Sequence, residues 1–250
     1  MSLSTQKEIF QAVYPNGTPR GAVGWHRGAS DVDVDNAAEL ICENGGFTAH
    51  LAADDLIQAV SGAGGDTTQT CYVRGIDTNG KVRIEAFTLN GATAVDSAAN
   101  FRYVESAWLS AECAGAITIR RKTGPANILS ITIGQLQSYA VHHFNGEHTT
   151  YLTGLFSGAG GTMADSVNLD LRHYPDDADA RDLGDGFVSI VQPSIYVDLT
   201  ATAAVMSNPH PIIFPQPIRI ASNSYIALYG TGEAANNDVW AFLQGFDVIE

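Results

Sequence analysis

The side chains best suited to chemistry lie in the segment HHFNGEH, which brings His142, His143, Glu147 and His148 close together. Histidine and glutamate are side chains that bind zinc in proteins. The segment lacks the H-E-x-x-H spacing that places two histidines on one face of a helix, and its central Asn-Gly is typical of a turn. We therefore predict that His142 and His143 enter a surface hairpin and that His148 leaves it. A metal site is the alternative.

An acidic loop further along the chain is a second candidate. Carboxylate oxygens on a flexible loop are the ligands that Ca²⁺ prefers. Their order here differs from that of an EF-hand, which also requires a glutamate at its twelfth position. We predict a solvated loop, with a calcium site as the alternative. The candidate ligands are Asp176, Asp177, Asp179, Asp182 and Asp185.

Three more carboxylates alternate with valine at Asp31, Asp33 and Asp35. In an extended segment, alternate side chains point the same way, so these three are expected on one face. Like charges on one face repel each other unless Arg27 or a neighbouring chain neutralises them. We predict a solvated face or ion pairs between subunits, with a metal site as the alternative.

Motifs of covalent and phosphate chemistry are missing from the sequence. There is no G-x-S-x-G nucleophile elbow, and neither glycine-rich stretch, at 62–65 or at 158–161, continues into the Lys-Ser/Thr of a phosphate loop. Cys42, Cys71 and Cys113 are too few and too widely spaced for a disulfide framework or a zinc site, so we expect small buried apolar residues. The sequence predicts no enzymatic activity, no catalytic residues and no cofactor.

The elements that carry these residues are clearest between Thr70 and Gly91. Two β-rich runs, 71–74 and 82–89, flank Asp-Thr-Asn-Gly, and Asn-Gly between alternating runs is the strongest short signal of a hairpin. In the second run Val82, Ile84, Ala86 and Thr88 alternate with Arg83, Glu85, Phe87 and Leu89. Turn signals recur every eight to ten residues, which is typical of a β-sandwich.

This punctuation predicts an all-β protein with two β-sandwich domains and an extended N-terminal arm. The arm covers residues 1–24, the first sandwich 25–135, and a second, jelly-roll-like sandwich 136–250. The prolines at 209, 211, 215 and 217 confine that stretch to an edge strand or to irregular structure.

Composition restricts the partners. The chain of 250 residues has a net charge of −14, with 27 acidic and 13 basic residues, so we expect neither nucleic acid nor an anionic membrane surface as a partner. Charged residues make up 16%, below the usual value of about 25%, which favours a protein whose faces are covered by neighbours. We find no signal peptide and no apolar run of the roughly 20 residues that a membrane span needs.

Read together, several segments resemble a family of virion structural proteins of tailed bacteriophages. The segments are Trp25–Asp33, Glu39–Gly46, Val73–Asp77, Glu85–Gly91, Phe101–Val104, Ala114–Ile119, Ile218–Ile220 and Trp240–Glu250. The resemblance lies in their combined order over about residues 22–250, not in any one motif.

The resemblance implies a head cement or decoration protein, which binds the outside of a capsid and clamps neighbouring capsomers. The implied partners are the major capsid protein and further copies of this chain, as a trimer or dimer. The implied location is the outer surface of a virion, after synthesis in the host cytoplasm. The alternative is a glycan- or host-binding module of the tail or fibre, acting through loops around Tyr174 or Trp240.

Overall fold

A computed structural model describes most of the chain beyond the predicted arm. The described residues are 23–43, 46–48, 50–160, 165–175, 187–197, 210–233 and 237–248. Residues 1–22, which make up nearly all of the predicted arm, lie outside them. No α-helix occurs among the described residues, and the regular structure consists of antiparallel strands, which confirms the all-β prediction.

The strands are numbered in chain order. They are β1 Val23–Val34, β2 Glu39–Leu40, β3 Ile57–Ser61, β4 Thr70–Asp77, β5 Val82–Thr88, β6 Val95–Asp96, β7 Phe101–Leu109, β8 Ile117–Arg121, β9 Asn127–Ile131, β10 Gln137–Tyr139, β11 His142–Phe144, β12 Thr149–Gly160, β13 Asp165–Tyr174, β14 Val188–Val191, β15 Ser194–Val197, β16 His210–Ile220, β17 Tyr225–Gly232 and β18 Asn237–Val248.

Two sheets form a jelly roll. The first has the strand order β1-β18-β12-β16, and the second has the order β11-β17-β13-β14, with β15 and β2 pairing with β13 and β17. Successive strands cross between the sheets as a jelly roll requires: β12 lies in the first, β13 and β14 in the second, β16 in the first, β17 in the second and β18 in the first. The buried side chains between the sheets include Leu155, Leu169 and Leu243.

A second sandwich is inserted between β1–β2 and β11. Its sheets have the orders β10-β7-β4-β5 and β6-β3-β8-β9, and they enclose a separate core that includes Phe87, Phe101 and Ile119. The chain enters and leaves this insert through adjacent segments, because the amide of Val141 donates to the carbonyl of Ile41 over 2.8 Å. Entry and exit side by side are the geometry expected of one domain placed within another.

The strand pairing differs from the predicted grouping of residues 25–135 in one sandwich. β1 pairs with β18 from Val23 opposite Asp247 to Val34 opposite Asn237, and β2 pairs with β17. Both strands therefore belong to the sheets of the C-terminal half. Local alternation carries no information about a partner more than 200 residues away.

The central hairpin is confirmed. β4 and β5 pair from Thr70 opposite Thr88 to Ile76 opposite Val82. Gly80 in the turn has a φ of 76°, which favours glycine, and the Asp77 carboxylate accepts from the amides of Asn79 and Lys81. The predicted alternation also holds, with Val82, Ile84 and Ala86 exposed and Phe87 buried.

A third cluster of buried side chains joins the two sandwiches. Tyr103 of the insert lies 4.5 Å from Phe144 and 5.7 Å from Tyr225, both of the jelly roll, measured between ring centroids. The cluster includes Ile76 of β4 and Leu40 of β2. Aromatic pairs at these separations add to the stabilisation that burial gives, so the insert is fixed to the jelly roll by a shared core.

Searched for long apolar helices, the described residues contain none that could cross a membrane.

Candidate functional site

A β-bulge places an acidic side chain between the two sandwiches. Between β4 and β7, Arg74 lies opposite Ser106 and Gly75 opposite Val104, so Glu105 is an extra residue on β7. Because of this extra residue, both Glu105 and Ser106 line the boundary with the jelly roll. Bulges are known to redirect side chains in this way near functional sites.

Glu105 is buried and faces two arginines. Its Oε2 lies 3.2 Å from Nη1 of Arg74 on β4 and 3.5 Å from Nη2 of Arg27 on β1. Burial alone would raise the pKa of Glu105, but the charges of Arg27 and Arg74 outweigh it and hold the pKa below its usual value. One carboxylate is thus shared by one arginine from each sandwich.

His143 links this group to the end of β18. Its Nδ1 lies 3.4 Å from Nη2 of Arg27 and 3.8 Å from Oε1 of Glu105, while its Nε2 lies 3.1 Å from Oδ2 of Asp247. The ring stacks on Trp25 with 4.1 Å between centroids. We call Arg27, Arg74, Glu105, His143 and Asp247 the junction network.

The Asp247 carboxylate is largely buried and is contacted by three polar side chains. Trp25 Nε1 donates to its Oδ1 over 3.0 Å, and the Thr150 hydroxyl and His143 also contact the carboxylate. Burial raises the pKa of Asp247, but the His143 charge and these hydrogen bonds outweigh it and lower the pKa. Trp25 therefore anchors β1 at the contact between the two sandwiches.

His142 is buried beside the network with both ring nitrogens in contact. Nδ1 lies 2.7 Å from the Tyr225 hydroxyl and Nε2 lies 3.0 Å from the Glu105 carbonyl oxygen. Burial lowers the pKa of His142 to about 4, although the Glu105 charge opposes this shift. The ring is therefore neutral at pH 7 and serves as a hydrogen-bonding bridge between β7 and β17.

A cleft of about 640 Å³ opens beside the network, between β1 and the outer face of the insert sheet. β1 contributes His26, Arg27 and Gly28 as one wall. The floor consists of Arg74, Glu105, Ser106 and Trp108, and Gln137, Tyr139 and neighbouring residues close the far side. Charged, amide, hydroxyl and aromatic groups thus converge in a concave site of the size that holds small ligands.

The structure places the predicted metal candidates differently. The prediction of a surface hairpin was wrong: His142 and His143 are buried at the junction, where the inserted sandwich covers them, and the strands before and after the turn, β11 and β12, lie in different sheets. The turn is confirmed, since Gly146 has a φ of 55° and the His148 amide donates to the Asn145 carbonyl oxygen. The described residues contain no group of three or more His, Cys, Asp or Glu placed to hold a metal ion.

The other acidic candidates divide between described and undescribed residues. Asp176, Asp177, Asp179, Asp182 and Asp185 lie outside the described residues, so the calcium alternative stays a prediction. Asp31 is buried, and its Oδ2 accepts from the Cys42 amide over 3.0 Å, whereas Asp35 is exposed. Asp31 therefore does not belong to the solvated face that the alternation predicted.

The cysteine prediction is confirmed, and the loop that follows Tyr174, at 176–186, lies outside the described residues. Cys42, Cys71 and Cys113 are buried thiols that do not form disulfides, and burial raises the pKa of Cys71 to about 12. Tyr174, expected near a glycan-binding loop, is completely buried. Trp240 is half-buried and packs closely over Gly158 on the neighbouring strand.

The comparisons with known proteins give little. No family model matches the chain, and no curated protein matches it. A solved structure of infectious bursal disease virus, Gt strain, aligns at 10% identity with a TM-score of 0.22, covering 98% of this chain and 77% of that one. The VP2 subviral particle of the same virus aligns at 10% identity with a TM-score of 0.19, covering 99% and 78%. Scores this low do not establish a common fold.

The burial of His142 predicts a pH dependence of stability. In the unfolded chain the His142 side chain has a pKa of about 6.5, whereas in the folded chain its pKa is about 4. Below pH 6.5 the unfolded state therefore binds more protons, and the free energy of unfolding falls by up to about 1.4 kcal/mol per pH unit down to about pH 4. We expect the free energy of unfolding of His142→Gln, measured by urea unfolding at several pH values in this window, to fall less steeply with decreasing pH than that of the wild type.

His173 provides the matched comparison, because burial lowers its pKa as well. His173→Gln should remove only the contribution of His173 to the pH dependence of the free energy of unfolding, and the larger contribution of His142 should remain. A wild-type free energy of unfolding that stays constant between pH 6.5 and 4.5 would contradict the assignment of a neutral, buried His142.

Proposed function

We propose that this protein is a virion structural protein, and that it acts as a cement or decoration protein on the outer surface of a bacteriophage head. The observation that carries the proposal is an exposed apolar row on the edge strand β5. Val82 and Ile84 are 55% and 58% exposed, and in the described part of the chain β5 pairs only with β4. An unpaired edge with an apolar face is a surface that takes up a partner.

Two further features support a binding role in which the protein acts without turnover. The jelly roll is an architecture of viral capsid proteins, although fold alone does not assign function. The junction network and the shared aromatic cluster fix the insert on the jelly roll, so the β5 edge is held at one position relative to the other faces. A fixed spacing between contact surfaces is what multivalent binding to a lattice needs.

The proposed partners follow from this role. The β5 edge contacts the major capsid protein or another copy of this chain, and several weak contacts on a repeating lattice add up because each raises the effective concentration for the next. The net charge of −14 suits a location outside the shell, away from the packaged genome. Synthesis in the host cytoplasm and a dimeric or trimeric assembly complete the proposal.

The test uses empty heads assembled without this protein and the purified full chain. We expect the wild type to co-sediment with the heads and the double variant Val82→Lys/Ile84→Lys to bind at least tenfold more weakly, because two charges on the apolar row would have to be desolvated at the contact. Val188→Lys is the matched control, since Val188 on β14 is 59% exposed. It should bind like the wild type.

Two results would count against the proposal at different levels. Normal binding by the folded double variant would remove β5 as the contact surface. A wild-type chain that does not bind heads would remove the decoration role itself.

A further inference from the structure

The cleft beside the junction network is built from rows of side chains across the insert sheet. Gln137 of β10 lies opposite Trp108 of β7, which lies opposite Tyr72 of β4. In the next row Tyr139 lies opposite Ser106, and Ser106 opposite Arg74. Since opposite residues share a face of the sheet, both rows point outward, towards the wall formed by β1.

The aromatic row is ordered by stacking. The rings of Tyr72 and Trp108 lie 5.4 Å apart at an interplanar angle of 14°. Trp108 lines the cleft and is only half-buried. A tryptophan supported by a stacked neighbour offers a rigid apolar surface within an otherwise polar cleft, and such a surface suits a flat or ring-shaped ligand.

Among the residues that line the cleft, two arginines face a single carboxylate, while Asp247 acts on Arg27 from outside the cleft. Arg27 and Arg74 share the single carboxylate of Glu105, and both line the cleft. Arg74 is 28% exposed and forms its ion pair with Glu105 through Nη1, so the other donors of its guanidinium can receive a carboxylate from solution.

We propose that the cleft binds a saccharide that carries one carboxylate, with the carboxylate on Arg74 and Arg27 and the sugar ring against Trp108. Gln137, Ser106 and the Tyr139 hydroxyl supply partners for sugar hydroxyls. A peptide with several acidic residues fits less well, because Arg27 and Arg74 line the cleft together with Glu105, which leaves positive charge for one carboxylate. This inference goes beyond capsid binding and does not depend on it.

The test is a ligand-observed NMR titration of the full chain with N-acetylneuraminic acid, its methyl ester and a penta-glutamate peptide. We expect the free acid to bind at least tenfold more tightly than the methyl ester, and its affinity to fall with added salt because the charge pair is partly exposed. Arg74→Gln and Trp108→Ala should each weaken binding at least tenfold.

Arg83→Gln is the matched control. Arg83 is also a half-buried arginine of the same sheet paired with a glutamate, Glu85, but it lies on the other face of β5. It should bind the acid like the wild type. Trp108→Ala leaves the ion pairs of the junction network in place, so its effect separates loss of the ligand contact from loss of the fold, which circular dichroism of each variant also checks.

Three results would overturn the inference. Equal binding of the acid and the ester would show that the carboxylate does not contribute to binding. Binding of the peptide alone would show that the ligand is a protein segment and not a saccharide. Failure of the folded wild type to bind N-acetylneuraminic acid, the probe of this class, would remove the site. Because none of these measurements uses capsids, they do not bear on the decoration role.

Discussion

Glu105→Gln is expected to lower the free energy of unfolding by about 3 kcal/mol or more, because it leaves two positive charges at the junction without their carboxylate. Arg27 and Arg74 lie within 3.5 Å of Glu105 and have side chains that are only 14% and 28% exposed. A neutral amide accepts hydrogen bonds but does not compensate these charges. Urea unfolding at pH 7 measures the loss.

A second substitution separates lost charge compensation from lost packing. In the double variant Glu105→Gln/Arg27→Gln one of the two uncompensated charges is removed, so part of the loss should be recovered, with a coupling energy of about 1–3 kcal/mol. Lys122→Gln, which breaks an ion pair with Asp96 whose side chains are both more than 40% exposed, is the surface control. Its unfolding midpoint should stay close to that of the wild type.

The result that would contradict this prediction is a Glu105→Gln variant as stable as the wild type. Water would then have to solvate both guanidinium groups, and the junction network would contribute nothing to the contact between the sandwiches. The shared aromatic cluster around Tyr103 would remain as the element that joins them.

The central hairpin and the Asn-Gly turns could be predicted from the sequence because their signals are local. In β5, the alternation of Val82 and Ile84 with Arg83 and Glu85 matches the observed exposure, and the glycines of the Asn-Gly pairs at 79–80, 90–91 and 145–146 have positive φ. These features depend only on neighbouring residues. The same holds for the strand order within the hairpin.

The insertion could not be predicted, because it depends on a choice of partner between distant strands. β1 has ten residues in register with β18, and nothing in its own sequence distinguishes this partner from a strand of the insert. The turn spacing is similar in both sandwiches, so the prediction based on it was two consecutive domains, whereas the structure has one domain inserted in the other. Loop-closure entropy rises only slowly with loop length, so a long insertion is tolerated in such a fold.

The junction network was missed for a related reason. Glu105 lies in the run FRYVESAWL, where strict alternation places it in phase with Phe101, Tyr103, Ala107 and Leu109 and gives no sign of an ion-pair partner. The bulge changes the register at that residue, and Arg27 and His143 arrive from strands of the other sandwich. One signal was present. His142 and His143 are adjacent in a run of β-forming residues, and adjacent side chains of a strand point to opposite faces, so burial of at least one of them could have been predicted.

Gly75→Ala is expected to destabilise the protein by about 3 kcal/mol or more, at the upper end of what overpacking costs. A Cβ at this position would lie 2.1 Å from the Tyr103 carbonyl oxygen and 2.8 Å from Cδ1 of Phe101. The first of these is a backbone atom of a paired strand and cannot move without separating β4 from β7. The contact lies next to the bulge, so the substitution should also displace Glu105 from Arg74.

The matched control is Gly24→Ala, also in a β-strand, where an added Cβ would have no atom within 4 Å. It should be neutral or slightly stabilising, because alanine has less conformational freedom than glycine in the unfolded chain. Thermal and urea unfolding compare the two variants. A Gly75→Ala protein with wild-type stability would mean that β4 and β7 can separate with little loss of free energy. The close approach of Gly75 to Tyr103 would then not be the feature that fixes the bulge and directs Glu105 towards the two arginines.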